Sequence, residues 1–474
     1  MREFFIDISE ISQLLVYNCV NRPRRTSASS DTLKHMRHSR GQETALPLYT
    51  SLYLYARTRK KTVIDSLPKH GLCVPYDRVL SLTSDLATGV CDHYNKQQVV
   101  CPPQFCRNVF TVGAVDNSDH NPSSTTAKMS FHGTAISLMQ HADSPQVEAN
   151  MPSFALPQGT GKRCMLLPEY YTSIEPVMLN SAEPTVPEMS GQLVVHNALL
   201  SKAIDEEHTW LQSVKTAVLS SGEAAAADVT WSVFHSHNQP KITVNPAVTA
   251  MLPLFRESSN SVAMIKHAME VIAVAVNMIN PGQTPVMACD QPLYAMAKVI
   301  QWNFPQLYGE SQFVVMLGGL HIEMAALKAV GRLLTGSGWV ETLTEAGLST
   351  PGTAELFLTA AHVRRCRHAH EVTAATLYIL QRRAYMSYKA LRSDADADAI
   401  EMSFEAWCTH QTAKQPQFAF WSLILQFEIA VLLFVRSVRT ANFQLYVDSL
   451  INLTPWFFCF RSHTLRPLVA SSHT

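Results

Sequence analysis

The sequence predicts an α/β fold: a sheet flanked by helices, interrupted by a large insertion and followed by a mostly helical C-terminal part. Three observations predict it. First, residues 284–334 alternate strand, helix, strand, helix as TPVMAC (284–289), YAMAKVIQWNF (294–304), FVVML (313–317) and HIEMAALKAVGRLL (321–334). Short apolar runs separated by one helix indicate a parallel unit whose strands are covered on both faces. Second, VFTVGAV (109–115) and GTAISLMQ (133–140) are upstream runs of strand length. Third, Val262, Ile265, Met269, Ile272, Val276 and Ile279 step by three and four. That spacing makes one apolar helical stripe, and Asn280-Pro281-Gly282 stops it.

The remaining elements follow in order. Residues 1–45 read as a flexible arm, since RPRRTSASSDTLKHMRHSRGQ (22–42) is basic and Ser-rich. Residues 46–108 form a helical region, with one helix ending near Gly71 and another over 76–97, before Pro102-Pro103. Residues 109–175 make the first part of the core, with DNSDHNPSS as a turn cluster and RCMLLP (163–168) as a third strand. The stretch 176–283 reads as a mostly helical insertion, with a helix at 191–219 and a short strand TWSVFH (230–235). The second part of the core is 284–334, the helical C-terminal region 335–456 and an irregular tail 457–474.

Composition narrows the function classes. The 474 residues carry 38 basic and 38 acidic side chains, and only 16% are charged. A disordered chain needs more charge, and a DNA-coating protein needs a basic excess. Contact with nucleic acid would have to come from a local patch. The ten cysteines include no CxxC pair, which fits a reduced compartment. Glu3, Asp7 and Glu10 in MREFFIDISEISQLLVYNCV argue against a secretory signal. The expected location is therefore nuclear or cytoplasmic, not secreted. QFAFWSLILQFEIAVLLFV (417–435) has bilayer length, but Glu428 sits near its middle. A buried core helix and no membrane partner are expected. No P-loop, GxGxxG after a strand or GxSxG occurs.

The chemistry-bearing candidates are carboxylates at strand ends. Asp116, with Asp119 nearby, follows the first strand; Asp290 follows TPVMAC; Glu323 opens the helix after FVVML. Functional groups gather beyond the carboxyl ends of strands in open α/β sheets. Three acids there would make an oxygen-rich site for Mg²⁺ or Mn²⁺, and two such ions can clamp a phosphodiester. Each acid also has a local structural role open to it. Asp116 and Asp119 suit turns, Asp290 before Gln291-Pro292 suits a helix N-cap, and Glu323 suits a helix's first turn.

Thirty-two residues, holding one helix, one strand and Gly318-Gly319, separate Asp290 from Glu323. This arrangement resembles the DDE transposase and integrase superfamily. The resemblance implies an RNase H-like mixed sheet, with Asp116, Asp290 and Glu323 as catalytic and metal-holding acids. Asp119 competes with Asp116 for the first position, and Glu428 with Glu323 for the third. His321 would be a further contact. It also implies metal-dependent DNA cleavage or strand transfer, with DNA as partner and a homo-oligomer as assembly. AVDNSDHNPSSTTAKMSFHGTAISL, PVMACDQPLYAMAKVIQW, VVMLGGLHIEMAALK and GSGW (336–339) are similar to a group of uncharacterised repetitive animal proteins derived from mobile elements. That similarity spans most of residues 43–456. After PWFF (455–458) the chain departs from the group, so the alternative expectation is a truncated, catalytically inactive relic.

Arg364, Arg365, Arg367, Arg382 and Arg383 are the candidate nucleic-acid contacts, set on one helix with Glu371 as the opposing acid. The acids that follow, Asp394, Asp396, Asp398 and Glu401, would balance them on a solvated face. Glu428 needs a partner if buried, and Arg436 is the nearest candidate along the chain.

Overall fold

The computed structural model describes residues 43–120, 131–141, 165–180, 197–220, 229–238, 247–393 and 402–459, with Leu15 and Asn18. The chain divides into two compact units: residues 1–107 with 147–174, and 108–146 with 175–474. The arm expected over 1–45 lies almost entirely outside the described residues, as do Asp394, Asp396, Asp398, Glu401 and the tail beyond Cys459.

The first unit holds α1 (Ala45–Thr58), α2 (Lys61–Asp65) and α3 (Tyr76–Gln97). The single helix expected to end near Gly71 is broken at Arg59, which adopts a left-handed φ of 54°. Ile64, Val74 and Val79 form the buried centre, packed by Leu48, Leu52 and Tyr55.

The second unit is built on a five-stranded sheet of order β3-β2-β1-β4-β5. The strands are β1 (Thr111–His120), β2 (Phe131–Gln140), β3 (Val248–Met251), β4 (Val286–Cys289) and β5 (Val314–Leu317). β2 runs antiparallel to both its neighbours, whereas β1, β4 and β5 are parallel. Gly113, Val115, Ile136, Leu138, Met287, Cys289, Val315 and Leu317 alternate onto one face, and all are buried. Gly113 is required there. A Cβ would lie 2.7 Å from Ile272 Cδ1 of the helix Val262–Ile279, so only glycine lets that helix press onto the strand.

Three local expectations are corrected. DNSDHNPSS does not turn after Val115, because its first five residues continue β1 to His120, paired with β2 throughout. RCMLLP supplies no third strand: Met165–Pro168 is irregular, and the third strand is Val248–Met251 inside the stretch read as an insertion. TWSVFH is not a strand but part of a helix, Trp231–Asn238. Its aromatic and β-branched residues mimic strand composition, yet Trp231 and His235 are set one helical turn apart and both are buried.

In chain order the helices after α3 are α4 (Glu169–Thr172), α5 (Asn197–Ser220), α6 (Trp231–Asn238), α7 (Val262–Ile279), α8 (Gln291–Asn303) and α9 (Pro305–Tyr308). Then come α10 (Gly319–Leu334), α11 (Trp339–Glu345), α12 (Pro351–Phe357), α13 (Val363–Ser393), α14 (Phe404–Lys414), α15 (Pro416–Arg439) and α16 (Phe443–Cys459). α4 belongs to the first unit and the others to the second. α7 and α15 are long and apolar enough to cross a membrane. In this fold α7 packs on the sheet, and α15 is buried from Phe427 to Ser437 among α10, α13 and α16.

Candidate active site

The last register pair between β1 and β4 is Val115 with Cys289. One residue further along the chain stand Asp116, still inside β1 and paired with β2, and Asp290, which directly follows β4. Burial pushes the Cys289 thiol up to about 12, and the Asp290 and Asp116 carboxylates add to that rise. Both acids therefore lie near enough to the Cys289 thiol to raise it. Asp116 is exposed and accepts from the Asn117 backbone N–H at 2.8 Å. Asn117 in turn accepts a hydrogen bond from the Ser259 hydroxyl. Asp119 lies three residues farther along β1, and its side chain falls outside the described residues. Adjacency to β4 thus belongs to Asp116.

Asp290 has a second task. It is the N-cap of α8, and its Oδ1 accepts from the Leu293 N–H at 3.1 Å, with Pro292 in the first turn. β5 ends beside it, since the Gly318 N–H donates to the Cys289 carbonyl at 2.9 Å. His321 lies at the same edge: a Cβ on Gly318 would stand 3.3 Å from its Cδ2 and 3.4 Å from the Cys289 carbonyl.

Glu323, in the second turn of α10, is 5% exposed and is held by Arg367 of α13. Arg367 Nε donates to Oε1 at 2.6 Å and Nη2 to Oε2 at 2.7 Å, a bidentate pair. The pair raises the Arg367 guanidinium, chiefly through the Glu323 hydrogen bond. Burial and then Arg367 lower Arg439, which Glu371 and Glu323 pull back up. Arg439 itself lies over the Trp231 ring at 5.0 Å and donates to Ser232 Oγ at 3.0 Å. Glu323, Arg367, Glu371 and Arg439 thus lie close enough to influence one another's charge. Among the described residues, no three His, Cys, Asp or Glu side chains converge as a metal-ligating group. Asp116 and Asp290 offer two carboxylates, and both oxygens of the third expected ligand are occupied by a guanidinium. The described donors do not fit a three-acid, two-metal centre.

Glu428 is fully buried, but its partner is not Arg436. It meets His370 Nδ1 of α13 at 2.7 Å. Burial alone would lower His370; the Glu428 carboxylate and contact with Cys366 outweigh it and hold the imidazole up at about 10. His370 also lies against the Trp339 ring at 5.1 Å. Arg436 instead pairs with Glu207 at 3.0 Å and Glu206 at 3.2 Å on α5. Glu207 Oε2 further accepts from Trp231 Nε1 at 2.8 Å and lies 3.1 Å from His235 Nε2. Neither pair is adjacent in sequence, and no spacing rule would have found them.

The five arginines do not form one surface. Arg367 is taken by Glu323, and Arg382 packs its guanidinium 3.5 Å over the Phe404 ring. Arg364, Arg365 and Arg383 are exposed.

Residues 230–464 match a family described as a domain of unknown function, DUF8702. The match runs from α6 through α16 and contains Asp290, Glu323 and Arg367, but not Asp116. No curated protein matches the chain, and no solved structure does.

Proposed function

We propose that this chain is a transposase-like protein of RNase H-like architecture that no longer cuts DNA. Strand order 3-2-1-4-5 with β2 alone antiparallel supports the architecture, as do two aspartates one residue past the last register pair of β1 with β4. The observation that carries the loss of cleavage is the bidentate Glu323–Arg367 pair. Two divalent ions need carboxylates to bridge and neutralise them. A glutamate already neutralised by a partly buried arginine is a poor ligand, because a metal would have to leave that arginine unpaired. Asp290 caps α8 whether or not it meets a metal.

The test is nicking of supercoiled plasmid in Mn²⁺ by the full chain and by Asp290→Asn. Both should match the protein-free control. Mn²⁺-dependent nicking by the wild type that disappears in Asp290→Asn would overturn the proposal.

A second reading, DNA binding without cleavage, rests on Arg365 and Arg383. They stand eighteen positions apart, five whole turns and about 27 Å along one side of α13. Both are exposed. A salt-dependent loss of anisotropy for labelled duplex DNA, weakened in Arg365→Gln with Arg383→Gln, is its expected mark. Binding unchanged by the pair of substitutions would remove it.

A further inference from the structure

Away from the strand ends, a cavity of about 660 Å³ opens between α11, α13 and the first half of α15. That size falls within the roughly 300–1,000 Å³ range of small-molecule sites. Its chemistry is one-sided. None of its twenty lining residues is acidic, basic or histidine. The walls are chiefly Trp339, Leu343, Leu377, Phe418, Trp421 and Leu425.

Several polar groups in the wall are already hydrogen-bonded. Trp339 Nε1 donates to Thr373 Oγ1 at 2.8 Å, and that hydroxyl donates to the Ala369 carbonyl at 2.8 Å. Gln381 Nε2 donates to Ser422 Oγ at 3.2 Å. The indole N–H of Trp339 is therefore already satisfied. A charged ligand would lose its hydration here and find no countercharge, whereas an apolar one loses nothing. Among the exposed lining residues, Leu380 (54% exposed) and Leu348 are apolar, and Thr342, Thr376, Gln415 and Gln417 are polar but uncharged.

We infer that this cavity is a binding site for an uncharged, largely apolar small molecule, packed against Trp339 and Trp421. The inference is independent of the transposase-like reading, because Asp116, Asp290, Glu323 and Arg367 are all absent from the cavity lining.

The test uses the full chain and the neutral fluorophore N-phenyl-1-naphthylamine, with 1-dodecanol and dodecanoate as competitors. Saturable binding is expected, displaced by dodecanol at a concentration at least tenfold below that of dodecanoate. Val372→Trp and Thr376→Trp, which fill the cavity, should each weaken binding about tenfold with unchanged circular dichroism. Trp421→Phe should keep binding but reduce energy transfer from tryptophan to the probe. Phe443→Ser, on α16 and outside the cavity lining, removes a side chain on a residue 70% exposed and should change nothing. Undiminished binding in both filled variants, unchanged energy transfer in Trp421→Phe, or equal loss in Phe443→Ser would overturn the inference. So would preference for dodecanoate, or displacement of the probe only by phosphatidylcholine vesicles.

Discussion

Arg367 on α13 holds both carboxylate oxygens of Glu323 on α10, at 2.6 and 2.7 Å, with both side chains largely removed from solvent. Removing one partner of such a pair strands the other charge, at a cost of about 3–5 kcal/mol when fully buried. Arg367 keeps some exposure, so Arg367→Met should lower stability by roughly 3 kcal/mol. The double variant Glu323→Met, Arg367→Met should recover most of that. Urea unfolding of the three proteins checks this; an additive double variant would show that the two residues act separately.

Asp290 separates capping from chemistry. Asparagine caps a helix about as well as aspartate, whereas alanine costs about 1 kcal/mol. Asp290→Asn should therefore unfold at nearly the wild-type midpoint, and Asp290→Ala should fall below it. Thermal melts that rank the two variants in the reverse order would remove the capping account of Leu293 N–H.

His370 makes stability depend on pH. Its folded-state pKa of about 10 lies above the ordinary value of 6.5. The folded chain therefore holds a proton that the unfolded chain releases between those values. The stabilisation is complete below pH 6.5 and drains away as the pH rises to 10. The melting temperature should fall across that window, and His370→Gln should flatten the slope while lowering stability at pH 6. A wild-type profile that rises between pH 7 and 10 would contradict the His370–Glu428 pair.

Glu207 ties α5, α6 and α15 together through Trp231, His235 and Arg436. It is fully buried. Glu207→Ala should cost about 3–5 kcal/mol by leaving Arg436, among the described residues, with the half-exposed Glu206 as its remaining carboxylate. Glu207→Gln, which keeps an acceptor for Trp231, should cost less. Indole emission at Trp231 should shift red in the alanine variant, and an unshifted spectrum would place the indole elsewhere.

Much of the sheet was legible in the sequence because its strands are short apolar runs bounded by turns and its helices repeat at three and four. TPVMAC, FVVML and the Val262–Ile279 stripe carry that signal without help from the rest of the chain. β3 escaped because VTAM is four residues long and has no period to read. TWSVFH misled because its composition suits a strand, whereas its two buried side chains, Trp231 and His235, both reach Glu207 from one side of a helix. At the site, Asp116, expected to follow the first strand, lies inside β1, because pairing with β2 carries the strand through polar residues to His120; only the position of Asp290 after β4 follows from where an apolar run stops. The fate of Glu323 does not. Its partner is 44 residues away on another helix, and only packing brings Arg367 to it.

The account turns on whether three carboxylates can share metal, and electron paramagnetic resonance of the full chain titrated with Mn²⁺ asks this most directly. The Glu323–Arg367 pair predicts isolated, weakly bound Mn²⁺ at most, with no exchange-coupled pair, in the wild type and in Asp290→Asn alike. A coupled two-ion spectrum in the wild type that vanishes in both Asp290→Asn and Glu323→Gln would contradict it.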